Sequence, residues 1–193
     1  VKEGDRIAEM GAFRGYYSIY LSKKIGAKGR VIAIEPIPEN VKYLEKNVTA
    51  NQLDNVTIVP KGVWNENDQK VFQRKSTDYQ SGSIDITYSD SDSQSIEVNT
   101  LDKILTDSNV ESIDFMLIQL NGAEYEALEG LTKFSPNHFS IAARYDKNGR
   151  ILLDTKGKAI PDEVTHSITK DINGKQSVSL GIYGIPESIL INK

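Results

Sequence analysis

Residues 6–35 of this 193-residue chain set out a short apolar strand, a glycine-bearing turn, a helix and a second strand that ends on an acid. The first strand enters Glu9-Met10-Gly11-Ala12-Phe13-Arg14-Gly15. Tyr17, Tyr20, Leu21 and Lys24 then fall at helical spacing, Gly26-Ala27-Lys28-Gly29 breaks the helix, and Val31-Ile32-Ala33-Ile34 leads to Glu35. This is a β-α-β unit, and it predicts a parallel sheet with a crossover helix. Gly11 and Gly15 let backbone approach a ligand and let the helix start against the sheet without a Cβ in the way. Glu35 stands twenty positions beyond Gly15, where a ribose would lie across the crevice. A carboxylate there can accept hydrogen bonds from both ribose hydroxyls.

The glycine spacing selects among nucleosides. A dinucleotide turn needs G-x-G-x-x-G, so that amides close on a pyrophosphate; this chain has G-x-x-x-G with Glu9 two residues before it, and that charge would repel phosphate. A nicotinamide-dependent dehydrogenase is disfavoured for the same reasons. A ligand with a ribose, no phosphate and a positive charge fits, and S-adenosylmethionine is such a ligand. Glu9 would then place negative charge near its sulfonium and ammonium groups.

The balance of residues agrees with a small-molecule enzyme. Net charge is -4 and the pI about 5.3, which gives no footprint for nucleic acid and no basic stripe for a membrane. No segment approaches the ~18 apolar residues that span a bilayer. The chain has no cysteine, which excludes disulfides, thiolate metal sites and a cysteine nucleophile. A cytoplasmic protein with a small-molecule substrate and no metal is expected; the oligomeric state has no sequence signal. The chain opens at Val1 without an initiator methionine, so a preceding segment is expected to be missing.

Residues 1–193 read as one domain in which strand and helix alternate. Pro38 can open a helix with Val41, Leu44 and Val48 on one face, and Asn55 to Pro60 is a third strand. Short extended pieces are expected at Lys70–Arg74, Ser83–Tyr88 and Ser95–Asn99, and the Ser/Asp-biased stretch Ser76 to Ser95 reads as a loop or lid. A short helix at Leu101–Asp107 follows. Ile113–Leu120 has the near-continuous apolar run of a central strand. Ala123–Leu131 is expected as a helix, Phe139–Arg144 as a strand, and Ser177–Tyr183 with Ser188–Ile191 as a pair of strands.

Four blocks together resemble the FkbM-type methyltransferase family. The first is Glu9-Met10-Gly11-Ala12-Phe13-Arg14-Gly15-Tyr16-Tyr17-Ser18. The second is Val31 to Pro36 with Leu44, Asn47 and Asn51. The third is Gly62-Val63-Trp64-Asn65. The fourth is Thr100-Leu101-Asp102 with Met116 to Gly130. The resemblance implies a Rossmann-like class I fold: a doubly wound, mostly parallel seven-stranded sheet closed by a C-terminal antiparallel hairpin. It implies cofactor contacts from Glu9, Gly11, Ala12, Phe13, Gly15, Glu35, Pro36, Gly62, Val63, Trp64 and Gln119, and substrate contacts from Asn121 and Glu124. The implied activity is O-methylation of a hydroxyl on a sugar, polyketide or similar metabolite.

Departures from the family pattern concentrate on charge. Phe13 replaces an asparagine, Asn65 an acid, Leu117 a lysine, Gln119 an aspartate and Asn121 a glutamate. An amide still hydrogen-bonds but cannot take a proton or balance a sulfonium. A second reading therefore stands beside the enzyme: a methyltransferase fold that binds cofactor or a partner with impaired turnover. No catalytic base is named; His138 and His166, the only histidines, read as structural or exposed.

Overall fold

The computed structural model describes residues 1–75, 82–84, 91–120, 123–143, 165–170, 176–182 and 185–191. Along the chain run β1 (Arg6–Met10), α1 (Tyr16–Ile25), β2 (Arg30–Ile34), α2 (Pro38–Ala50), β3 (Val56–Val59), β4 (Gly62–Val63), β5 (Asp68–Lys75), β6 (Gly82–Ile84) and β7 (Ser91–Asn99). Then come α3 (Leu101–Asp107), β8 (Phe115–Ile118), α4 (Glu124–Glu129), β9 (His138–Ala143), β10 (Thr165–Lys170), β11 (Gln176–Ile182) and β12 (Ile185–Ile191).

The main sheet has the order β12-β11-β10-β9-β8-β1-β2-β3. Its five strands from β9 to β3 are parallel throughout, as crossover helices require. β10, β11 and β12 extend the edge with antiparallel pairing. Eight strands stand where seven were expected, because residues 165–170 supply a strand that the hydrophobic pattern did not signal. The winding runs from β1 outward to β3, then returns to β8 on the other flank of β1. Strand order thus reverses between β1 and β8, the place where open α/β sheets bind ligands at their carboxyl ends.

Alternation along the central strands builds two cores. Ala8, Met10, Ile32, Ile34, Met116 and Ile118 face α3 and α4, meeting Leu101, Ile104, Leu105 and Ala127. Ile7, Val31, Ala33 and Leu117 face α1 and α2, meeting Leu21, Ile25 and Leu44. Leu117, which stands where the family has a lysine, is thereby a core residue.

Between β3 and α3 the chain inserts a small sheet, β4-β7-β5-β6. It reaches into the stretch expected as a loop or lid: Ser91–Asn99 is one continuous strand. The small sheet's Ile96 and Val98 join Trp64, Ile37 and Ala123 in a third apolar cluster, with Phe72 and Leu120 against it. The insert is thus anchored beside the carboxyl ends of the main sheet. Thr100 caps α3, its hydroxyl accepting from the Lys103 amide at 3.2 Å. Asp102 then holds the turn after α4 through the Thr132 and Lys133 amides, both at 2.8 Å. Those contacts give the Thr100-Leu101-Asp102 block a structural purpose.

Candidate functional site

The glycine turn lies at the point where strand order reverses. Gly11 has φ +83°, and a Cβ there would lie 2.1 Å from the backbone oxygen of Gln119 at the tip of β8. Gly15 has φ +85°, and a Cβ there would lie 2.4 Å from Leu44 Cδ1 in α2. Both glycines are required, but by the adjoining strand and helix directly rather than by a ligand alone. The Gly11 and Ala12 amides both donate to the Ile34 carbonyl, at 3.0 and 2.9 Å, which welds the turn to the end of β2. Ala12 is buried in the core under α1.

Glu9 is only 2% exposed and points to the α1 side of β1. Its Oε2 accepts a hydrogen bond of 2.5 Å from the Ser18 hydroxyl. Burial pushes its carboxyl up to about 7; the Ser18 bond opposes this and repulsion from Glu35 adds to it. Two buried carboxyl groups that repel each other are an electrostatic environment suited to a cation.

Glu35 is also buried, and burial raises its pKa against the opposing effect of its hydrogen bonds. Its Oε2 accepts the Phe13 amide at 2.8 Å; its Oε1 accepts the Ile37 amide and Asn40 Nδ2, each at 3.1 Å. Three of roughly four acceptor positions on the carboxylate are therefore filled by the protein. Glu35 thus ties the first turn to the start of α2, and these bonds leave one acceptor position on Oε2 unfilled. Asn40, five residues after Glu35, is a site residue that the sequence reading missed.

Phe13 occupies the left-handed region at φ +52°, which glycine and asparagine tolerate and a bulky side chain does not. The asparagine at this place in the family pattern matches that backbone. The Phe13 ring packs 6.1 Å from Tyr16 with the Arg14 guanidinium 5.0 Å over it, and Arg14 also lies 4.5 Å over Tyr43. Asn47 Nδ2 donates to the Arg14 carbonyl at 2.7 Å, so this helix asparagine also serves the glycine turn.

The far wall of the crevice holds a small cavity of about 40 Å³ lined by Gly11, Pro36, Gly62, Val63, Leu120 and Phe72, among others. Lys61 lines it too, held by Glu97 at 2.6 Å and Asn99 Oδ1 at 2.8 Å. In the sequence Lys61 and Phe72 were not site candidates, and Leu120 stood only as the end of the central apolar run and part of the fourth block. Trp64 is buried in the apolar cluster behind this wall. Asn65 instead lies at the surface, its Nδ2 donating to Glu129 at 2.9 Å, so this departure from the family is outside the crevice. Gln119 is half-buried at the tip of β8, its amide donating to the Met10 carbonyl at 2.9 Å. Asn121 lies outside the described residues. Glu124 is 1% exposed and its Oε1 accepts the Leu120 amide at 3.0 Å, which ties the start of α4 to the chain leaving β8. A larger cavity, about 630 Å³, opens at the opposite end of the strands beside Arg6, Arg30 and Asn55. His138 sits at that opposite end too, paired with Phe115 at the start of β8. Among the described residues no cluster of acids or histidines is placed to hold a metal, and no helix is long and apolar enough to cross a membrane.

A parallel sheet reversing at a glycine turn, with acids at the ends of β1 and β2, defines a Rossmann-like methyltransferase fold. Residues 9–159 match the methyltransferase FkbM domain, and the chain belongs to that family, whose cofactor is S-adenosylmethionine. A 59-residue stretch is 36% identical to the protein-L-isoaspartate O-methyltransferase of Fervidobacterium nodosum, covering 31% of this chain and 30% of that protein. A stretch of the same length is 30% identical to protein-L-isoaspartate O-methyltransferase 1 of Archaeoglobus fulgidus, covering 31% and 27%. The matches thus span less than a third of these curated relatives. A SAM-dependent methyltransferase from Aquifex aeolicus aligns at 21% identity with a TM-score of 0.45, over 84% of this chain and 67% of that one.

Proposed function

We propose that this protein transfers the methyl group of S-adenosylmethionine to a hydroxyl oxygen of a sugar or other small metabolite, in the cytoplasm. The observation that carries this reading is the pair of buried, mutually repelling carboxyl groups, Glu9 and Glu35, at the carboxyl ends of β1 and β2 beside the strand-order reversal. The bound sulfonium supplies an activated methyl group, and the protein contributes proximity, orientation and charge. Glu9 faces the cationic end of the cofactor, Gly11 and Ala12 hold the turn beneath it, and Glu35 receives a ribose hydroxyl. Pro36, Gly62, Val63 and Lys61 flank the base. The Gln119 tip and the segment that follows it meet the acceptor. The antiparallel strands β10–β12 act as the closing hairpin layer of the sheet.

Calorimetric titration with S-adenosylmethionine and with NAD, separately, tests the donor. Micromolar binding of the first and none of the second is expected; binding of NAD alone overturns the reading. The half-buried amide of Gln119, at a place where the family keeps an acid, favours one alternative. In it the protein binds cofactor or a partner with little turnover. Cofactor binding without methyl transfer to any of a panel of sugars and hydroxylated metabolites would select it.

A further inference from the structure

We propose that the outer face of α1, continued by Tyr43 of α2, is a platform for an acidic oligosaccharide leading into the methyl-transfer crevice. The proposal deepens the hydroxyl-acceptor reading and rests on it. Among the described residues, six large hydrophobic side chains are exposed, and four of them lie here: Tyr16 (62%), Tyr17 (50%), Tyr20 (59%) and Tyr43 (41%). Tyr16 and Tyr43 are joined through Phe13 and Arg14, since Arg14 stacks on both Phe13 and Tyr43 and Phe13 packs on Tyr16. Tyr16 and Tyr20 are one helical turn apart, so their rings share a face. From Tyr16 to Lys24 the face is about 12 Å long, room for roughly two sugar rings. Its inner end is fixed to the crevice, because the Phe13 amide donates to the carboxylate of Glu35.

The chemistry of the face selects the occupant. Exposed phenols offer a flat apolar ring with a hydroxyl at its rim, which suits the C–H face and hydroxyl edge of a pyranose. Of the aliphatic side chains of α1, Leu21 and Ile25 are turned into the core and Ile19 is half-buried, so the exposed face is phenolic rather than aliphatic, unlike a helix that lies in a hydrocarbon layer. The helix has no acid in its first turn and carries Lys23 and Lys24 in its last, a local positive charge in a chain of net charge -4. Those cations are few and partly engaged: Lys23 donates to Asn51 at 2.8 Å and Lys46 sits 5.6 Å over Tyr43. A ligand charged at every unit, such as nucleic acid, needs more counter-charge than this. A glycan with occasional carboxylates matches it.

Calorimetry on the cofactor-free chain, at 0.15 M salt, tests the platform with four probes: hexagalacturonate, cellohexaose, a uridine 20-mer and phosphatidylglycerol vesicles. Hexagalacturonate is expected to bind best. Tyr16→Ser with Tyr20→Ser should weaken it at least tenfold, and Tyr16→Phe with Tyr20→Phe should retain it to within about threefold. S-adenosylmethionine affinity should move less than twofold in both variants. Absence of saccharide binding, tighter binding of RNA or vesicles, or a serine variant that binds normally overturns the proposal. Saccharide binding by a chain that does not bind S-adenosylmethionine would sink the donor reading and leave the platform standing; the reverse result would do the opposite.

Discussion

Glu9 and Glu35 are both buried and repel each other, and the cost of burying charge sets how the site answers pH. The Glu9 carboxyl stands at about 7 against an ordinary 4.5, so the fold holds its proton more tightly than the unfolded chain does. Stability from this group is complete below about 4.5 and is lost as pH rises through about 7, a difference on the order of 3 kcal/mol. Ligand-free protein should therefore unfold at lower urea at pH 8 than at pH 5.5, and Glu9→Gln should flatten that dependence. Cofactor affinity should run the other way. A permanent sulfonium favours ionised Glu9, so the Kd measured by calorimetry should tighten between pH 6 and pH 8 in the native chain and not in Glu9→Gln. Phe13 offers a second test at this scale. Both Phe13→Leu and Phe13→Asn remove the ring contacts with Tyr16 and Arg14, but only asparagine suits the left-handed backbone at φ +52°. Urea unfolding should place the asparagine variant about 1 kcal/mol above the leucine variant; equal stabilities would mean that the backbone there is unstrained.

At the scale of elements, α2 acts as the clamp on the glycine turn. Leu44 is fully buried and its Cδ1 fills the space beside Gly15, while Asn47 holds the Arg14 carbonyl one helical turn away. Leu44→Ala should cost about 3 kcal/mol. Gly15→Ala should cost less in the Leu44→Ala background than alone, because the steric clash is gone and only the positive φ remains, worth about 1–2 kcal/mol. A thermodynamic cycle from urea unfolding gives the coupling, and simple additivity would separate the two residues. The parallel half of the sheet was legible because each of its parts carries a local signal. Unbroken apolar runs mark β2 and β8, Pro38 opens α2, and Gly26 ends α1. The small sheet was less legible, since Ser, Asp and Gln carry β7 and its pairing with β5 spans long sequence distance. At the site, the turn and both acids were visible. Asn40, Lys61 and Phe72 were not, because their importance comes from which wall the fold turns them toward. Glu124 was legible as a motif residue, but not the hydrogen bond that its Oε1 accepts from the Leu120 amide.

For the molecule as a whole, ligand binding and stability are linked. S-adenosylmethionine at a hundredfold excess over its Kd should stabilise the fold by about 2.7 kcal/mol, which for a chain of this size raises Tm by roughly 5–10 °C. Gln119→Asp with Asn121→Glu should enlarge that shift at a fixed cofactor concentration, by returning negative charge to a site built around a cation. A smaller shift, with circular dichroism unchanged, would mean that the amides do not limit affinity. The reversal of strand order also has a consequence for synthesis. β1 is flanked by β2 and β8, and Ile7 pairs with Phe115, 108 residues downstream. On the ribosome, β1, β2 and β3 emerge early and can associate, yet one edge of the buried strand β1 stays open until β8, 108 residues downstream, has been made. Closure of that edge by β8 sets the pace of folding. Pulse-labelled amide exchange should show β2 protected before β8, and a chaperone that shields a lone apolar strand would act in that interval.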